Sequence, residues 1–184
     1  MRLNSQGSPS WNCGKIFGAS LGMKPEGIAD TCFCIDLWYG QLLETLCDFE
    51  LRIIIPDVVA QELRDPGVGP FIGAGAEIQS AEPEEVSFVE TLTQLYRKTS
   101  IADRFSLAMA KCRNAILLTN DKHLRAAAIK ENVRVRGILW LLDSLEGQLG
   151  TDRLASALES ILAQGARLPA EECRARLTKW SRQK

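Results

Sequence analysis

Short apolar runs alternate along this chain with longer stretches in which apolar residues recur every three or four positions. The runs GIAD (27–30), RIII (52–55) and AILL (115–118) have the length and aliphatic content of strands buried on both faces. EIQ (77–79) is a further strand candidate, and the alternating VRVR (133–136) has the pattern of an edge strand. Helical patterns lie between them. One covers 31–49, with Leu42, Leu43, Leu46 and Phe49 on one face. VVAQEL opens at Pro56-Asp57, and another helix starts at Pro83 with Val86, Val89, Leu92 and Leu95 inward. Residues 65–75 hold four glycines and two prolines, which predicts a loop.

The clearest helix signal begins at Ser100, an N-cap with Asp103 three residues on. Ile101, Phe105, Ala108 and Cys112 recur at helical spacing and are the expected core stripe. Asp103, Ser106 and Ala110 form a neighbouring face of small residues that lets the helix lie close to a sheet. Arg113-Asn114 breaks the helix before the 115–118 strand, and a new helical pattern from Asp121 runs to about 131. Residues 137–149 make an apolar helix. Thr151 caps another with Leu154, Leu158, Ile161 and Leu162 as its stripe, and Pro169 starts a last one with Cys173, Leu177 and Trp180 inward.

Buried strands alternating with helices predict an α/β fold: a three-layer α/β/α sandwich around a mostly parallel sheet of roughly five strands, with helices added at the C-terminal end. Residues 1–22, rich in Ser, Gly and Asn and without periodicity, are expected to be a flexible leader before Met23. Residues 23–149 form the expected main domain. Residues 150–184 form a helical extension that packs on it or makes an interface. The chain's 184 residues are ample for one core. With 22 basic and 23 acidic residues the net charge is −1, so no global field draws it to nucleic acid or membrane, and any basic surface is local. No apolar run approaches a membrane span, and residues 1–22 lack the apolar core of a secretory signal. Six cysteines without an export signal suit a cytoplasmic protein with free thiols.

Four acids recur at element junctions: Asp30 and Asp121 at strand ends, Asp103 at a helix start, and Glu62 on the helix after a strand. In a parallel sheet the strand-to-helix junctions gather at the carboxyl edge, where open α/β folds bind ligands. Each acid has a plain structural reading as a cap or a solvated helix residue. Ser, Thr or Asn would cap equally well, yet an acid stands at the edge of both strong strands. Four carboxylates in one cleft repel one another unless a cation neutralises them, and oxygen donors select Mg²⁺ or Mn²⁺ over Zn²⁺. Other motifs point nowhere sharper. Cys32-Phe33-Cys34 and the single His123 lack the convergent ligands of a zinc site, and both cysteines are expected to pack as small apolar groups. There is no P-loop, no dinucleotide fingerprint and no nucleophile motif around His123. The basic residues of 171–184 suit a solvated helix face.

The ordered segments IADTCFCIDL, PDVVAQEL, SIADRFSLAMAK and AILLTNDKHLR resemble the PIN-domain nucleases, including VapC-type toxins, over about residues 26–142. The family's first acid, followed by Ser or Thr, matches Asp30-Thr31. Its second matches Glu62, its third Asp103, and its fourth, after a Thr-X pair, Asp121 behind Thr119-Asn120. The resemblance implies that these four acids bind Mg²⁺ or Mn²⁺ and support cleavage of single-stranded RNA. Thr31 and Thr119 would orient them, and Arg104 and Lys122 are candidates for contact with RNA phosphates. It further implies a homodimer, and an antitoxin protein as partner if the chain is the toxin of a pair. The rival expectation is a non-catalytic PIN-like module that binds RNA or protein, against which the intact acid set argues. A phosphatase-like hydrolase is disfavoured by the lack of a D-x-D pattern.

Overall fold

The structure, a computed structural model, describes residues 24–182. Five strands, β1 (Glu26–Ala29), β2 (Arg52–Pro56), β3 (Glu77–Gln79), β4 (Ile116–Leu118) and β5 (Arg134–Arg136), form one sheet in the order β3-β2-β1-β4-β5. Every neighbouring pair is parallel. The helices are α1 (Thr31–Tyr39), α2 (Asp57–Glu62), α3 (Gly69–Gly73), α4 (Pro83–Leu95), α5 (Ile101–Cys112), α6 (Lys122–Lys130), α7 (Ile138–Ser144), α8 (Thr151–Ala163) and α9 (Ala170–Ser181). The expected three-layer architecture is therefore present, with the sheet wholly parallel.

Register divides the core. Ile28 faces Ile54 on one side and Leu117 on the other, and these three share a layer with Val89, Leu92, Leu107, Ala108, Leu124 and Ala128 of α4, α5 and α6. The alternate residues Ile53, Ile55, Ala29 and Leu118 face the other layer, with Phe33, Leu37, Leu142, Leu158, Ile161 and Trp180. That layer runs without a break from the sheet through α1 and α7 into α8 and α9. Trp180 of α9 is 1 % exposed and donates from Nε1 to Glu146 Oε1 at 2.9 Å. Gly27 is a close approach: a Cβ there would meet Leu118 Cδ1 at 2.8 Å, so that side chain would have to shift. Among the described residues no helix is long and apolar enough to cross a membrane.

Several boundaries depart from the sequence reading. The helix expected over 31–49 stops at Tyr39, because Gly40 caps it and Gln41 takes φ 53°. Leu42, Leu46 and Phe49 are still buried, delivered by a short 3₁₀ turn and bends. The loop expected over 65–75 contains α3, opened by Pro70 near its start and anchored by buried Phe71. The 137–149 helix is shorter, ending at Ser144, and Gly150 rather than Thr151 caps α8. In α4, Val89 and Leu92 face inward but Val86 and Leu95 are exposed. In α5 the buried face is Ala102, Ser106, Leu107, Ala108, Met109 and Ala110, while Ile101 and Cys112 point to solvent. The small-residue face lies against the sheet; of the predicted stripe Ala108 is buried and Phe105 packs half-buried against the core, while only its ends, Ile101 and Cys112, fall outside. The leader expected over 1–22 lies outside the described residues.

Candidate active site

All parallel strands end at one edge, and three of the four acids reach it as helix starts. Asp30 ends β1 and caps α1, its Oδ1 accepting from Phe33 N at 2.7 Å. Asp121 follows β4 and caps α6, its Oδ1 accepting from the amides of His123 and Leu124, each at 2.8 Å. Asp103 sits in the first turn of α5 and closes a reciprocal capping box. Its Oδ2 accepts from Ser100 N at 2.7 Å, and Ser100 Oγ accepts from Asp103 N at 3.0 Å. Glu62 ends α2, a helix that touches both α1 and α5, and its Oε2 accepts from the Thr31 hydroxyl at 2.5 Å. The cap reading and the acidic-site reading thus describe the same side chains.

Thr119 ties the two strand-end acids together. Its hydroxyl donates to Asp30 Oδ2 and accepts from Asp121 N at 3.0 Å. Asp30 is only 1 % exposed. Burial pushes its carboxyl up to about 7, hydrogen bonds from Thr119, Cys32 and the Phe33 amide oppose that, and the charge of Asp103 adds to it. Thr31 and Thr119, expected to orient ligands, therefore each hold one of the four acids. Arg104 donates to the Thr99 carbonyl at 2.6 Å and reaches the hydroxyls of Thr99 and Thr93, so its guanidinium braces the turn before α5. Lys122 is exposed beside Asp121.

Three neighbours were not singled out for this site by sequence. Cys32 was expected to pack as a small apolar group. Instead its Sγ donates to Asp30 Oδ2 at 3.0 Å and accepts from Asn120 N at 3.4 Å, while Cys34 is fully buried as expected. Asn120 donates from Nδ2 to Asp36 Oδ2 at 2.5 Å and accepts from Ile138 N at 3.0 Å, so one carboxamide joins α1 to the first amide of α7. Burial pushes the Asp36 carboxyl up to about 6 against that hydrogen bond. These contacts span 18 to 88 residues of sequence, and the TND triplet was their only local sign. Gly137 lies against this buckle: a Cβ there would collide with Asn120 Oδ1 and stand 3.3 Å from the Thr119 carbonyl.

The four acids fit a hard cation in donor type and charge. None of Asp30, Glu62, Asp103 and Asp121 forms a salt bridge among the described residues. The bonds that hold Glu62, Asp103 and Asp121 each fall on one oxygen and leave the second to other partners. As they stand, no three His, Cys, Asp or Glu side chains among the described residues converge into a metal cage. The edge thus carries four carboxylates that are fixed by hydrogen bonds and form no salt bridge among the described residues.

A family model described as PIN domain matches residues 27–182. The chain belongs to the PIN-domain family. A search of the curated proteins found no match. PIN domains are typically metal-dependent nucleases. The match also runs through α8 and α9, which share the core layer of α1 and α7.

Proposed function

We propose that this PIN domain is an endoribonuclease that cleaves single-stranded RNA with Mg²⁺ or Mn²⁺ held by Asp30, Asp103 and Asp121, and with Glu62 as a ligand directly or through water. One observation carries the reading: four carboxylates from separate segments stand at one sheet edge with no cation paired to any of them among the described residues, and one is buried. When bound, the divalent ion supplies charge stabilisation at a phosphoryl group and a more acidic water. The chain's own residues do the positioning. Asp30 is fixed by Phe33 N, Thr119 and Cys32. Thr119 transmits that register to Asp121, and Thr31 holds Glu62 over the same edge. Lys122, exposed beside Asp121, is the nearest-in-sequence cation for a substrate phosphate.

The test is cleavage of a labelled single-stranded RNA by the purified protein with Mn²⁺ and with EDTA. Cleavage that requires the metal is expected. Cleavage undiminished by EDTA, or binding without cleavage under either condition, overturns the reading, and the second result would identify the non-catalytic module instead. Within the same proposal the chain is the toxin of a pair and acts as a homodimer. A neighbouring gene for a small antitoxin that silences the cleavage, and light scattering at twice the monomer mass, are the expected findings.

A further inference from the structure

Beside the acidic edge lies a groove of about 530 Å³ with the opposite character. It is bounded by the Thr119–Asp121 turn, the end of β5, α7 and the segment that enters α9. Five cations line it: Lys122, Arg125, Arg136, Arg167 and Arg176. Its two carboxylates are both satisfied by one of these, since Arg176 holds Asp143 at 2.7 Å and Glu172 at 3.4 Å. The other four have no carboxylate partner among the described residues. The guanidinium carbon of Arg136 lies over the Trp140 ring, 5.7 Å from its centroid. Arg125 donates to the Thr119 carbonyl at 3.0 Å, so the groove and the acids share one turn of backbone. In a chain of net charge −1, four unpaired cations next to four unpaired acids, without the two sets neutralising each other, mark two sites for two external partners of opposite charge.

We infer that this groove carries the single-stranded polynucleotide that flanks the phosphate at the acidic edge, with Lys122, Arg125, Arg136 and Arg167 on successive phosphates and the Arg136–Trp140 pair as the surface on which a base stacks. This rests on the nuclease reading for its choice of substrate. A cation over an indole, set among spaced point charges, suits alternating bases and phosphates better than a run of Asp and Glu, which offers no aromatic ring to stack.

The experiment is fluorescence anisotropy of a short labelled oligouridylate on the full chain in EDTA, over a series of salt concentrations. The Arg136→Ala/Arg167→Ala variant removes two exposed side chains that bear on neither the core nor the acids. It is expected to bind about tenfold or more weakly, and its salt slope should fall by about 1.4, since each phosphate contact on a single strand contributes about 0.7. Lys130→Ala, at the far end of α6, removes a charge outside the groove and is expected to bind as the unmodified protein does. Equal affinity and slope for the double variant overturn the proposal, as does displacement of the oligouridylate by poly-aspartate at lower concentration than by unlabelled oligouridylate. The two readings fail separately. A double variant that still binds and cleaves normally removes the groove and leaves the nuclease. Groove-dependent binding without Mn²⁺-dependent cleavage removes the nuclease and leaves the groove.

Discussion

The two ends of the sheet handle charge in opposite ways. Toward the amino edge Glu26, Glu77 and Glu85 are paired with guanidinium groups. Arg52 bridges Glu26 and Glu77 across three strands, and Arg113 clasps Glu85 at 2.6 and 2.9 Å and Gln79 at 2.6 Å. Burial raises the Glu85 carboxyl, but the hydrogen bonds from Arg113 and the Glu82 amide more than offset it, and the net shift is downward. At the carboxyl edge the acids have hydroxyls, amides and a thiol but no cation partner among the described residues, and burial pushes the Asp30 carboxyl up to about 7. Hydrogen bonds orient a carboxylate without cancelling its charge. At the amino edge arginines neutralise Glu26, Glu77 and Glu85, whereas Asp30, Glu62, Asp103 and Asp121 at the carboxyl edge form no salt bridge among the described residues.

The largest expected effect comes from breaking that second arrangement. Asp30→Asn or Asp121→Asn should lower Mn²⁺-dependent RNA cleavage by more than about a hundredfold, because removing a direct ligand exceeds the 10- to 100-fold typical of its supporting residues. Normal cleavage by either purified variant would sink the assignment. Asp30→Asn has a second readout in chelator. An acid whose folded pKa is raised from 3.8 to about 7 binds its proton more tightly in the fold than in the unfolded chain. Its contribution is therefore present below about pH 4 and lost as pH rises to 7, with a span on the order of 4 kcal/mol. Urea melts should show metal-free wild type losing stability across that window relative to the variant. Parallel profiles would mean that Asp30 titrates normally.

At the amino edge the same logic predicts the reverse. Arg113→Met leaves Glu85, 3 % exposed, without its partner and should cost about 3 kcal/mol, while cleavage by the protein that remains folded is unchanged. In a domain of this size that is a fall in Tm of roughly 10 °C, read by calorimetry. A loss of activity at unchanged stability would erase the distinction between the two ends. Gly137→Ala probes the frame under the acids. Its methyl would displace Asn120, at a cost of about 1–2 kcal/mol, and cleavage should fall with it because Asn120 is the neighbour of both Thr119 and Asp121. An alanine variant with wild-type melting and cleavage would show the buckle to be slack.

What the sequence disclosed follows the range of the interactions. The Ser100–Asp103 box and the Asp30 cap close within three residues and were legible as local signals, whereas the cap of α6 is Asp121 and not the neighbouring Asn120. The strands were legible because burial on both faces leaves uninterrupted aliphatic runs. Three kinds of feature were not. Gly40-Gln41 ended α1 through a positive φ on a glutamine, which residue type does not announce. A helix formed inside a Gly/Pro-rich stretch because Phe71 found a core position. The burial of α5 was set by what packs beside it: its small residues meet the sheet, so Ile101 and Cys112 were misleading guides while Phe105 and Ala108 reach the core. In the site, Cys32, Asp36 and Asn120 find one another across more than eighty residues, a distance at which no spacing rule operates.

The smallest effect is the sharpest discriminator, because Asp103 belongs to both descriptions of the edge. As a cap, it accepts from Ser100 N and favours the α5 N-terminus. As a site acid, it is the charge that raises Asp30 further. Asp103→Asn keeps a carbonyl oxygen for the box and removes the charge. The helix-start interaction it loses is worth a few tenths to about 1 kcal/mol at any pH where Asp103 is ionised. The repulsion it relieves exists only where Asp30 is also ionised, above about pH 7. The two contributions therefore trade places along the pH axis. In chelator the variant should be slightly less stable than wild type at pH 5.5 and at least as stable at pH 8.5, with a net difference within about 1 kcal/mol at each. It should also gain less Tm from added Mn²⁺ than wild type, since a weaker site stabilises less at the same metal concentration. Chemical melts at the two pH values, with and without Mn²⁺, decide the matter. A constant deficit with an unchanged metal response would mean that Asp103 is a cap and nothing more, and the carboxyl edge would then hold three acids instead of four.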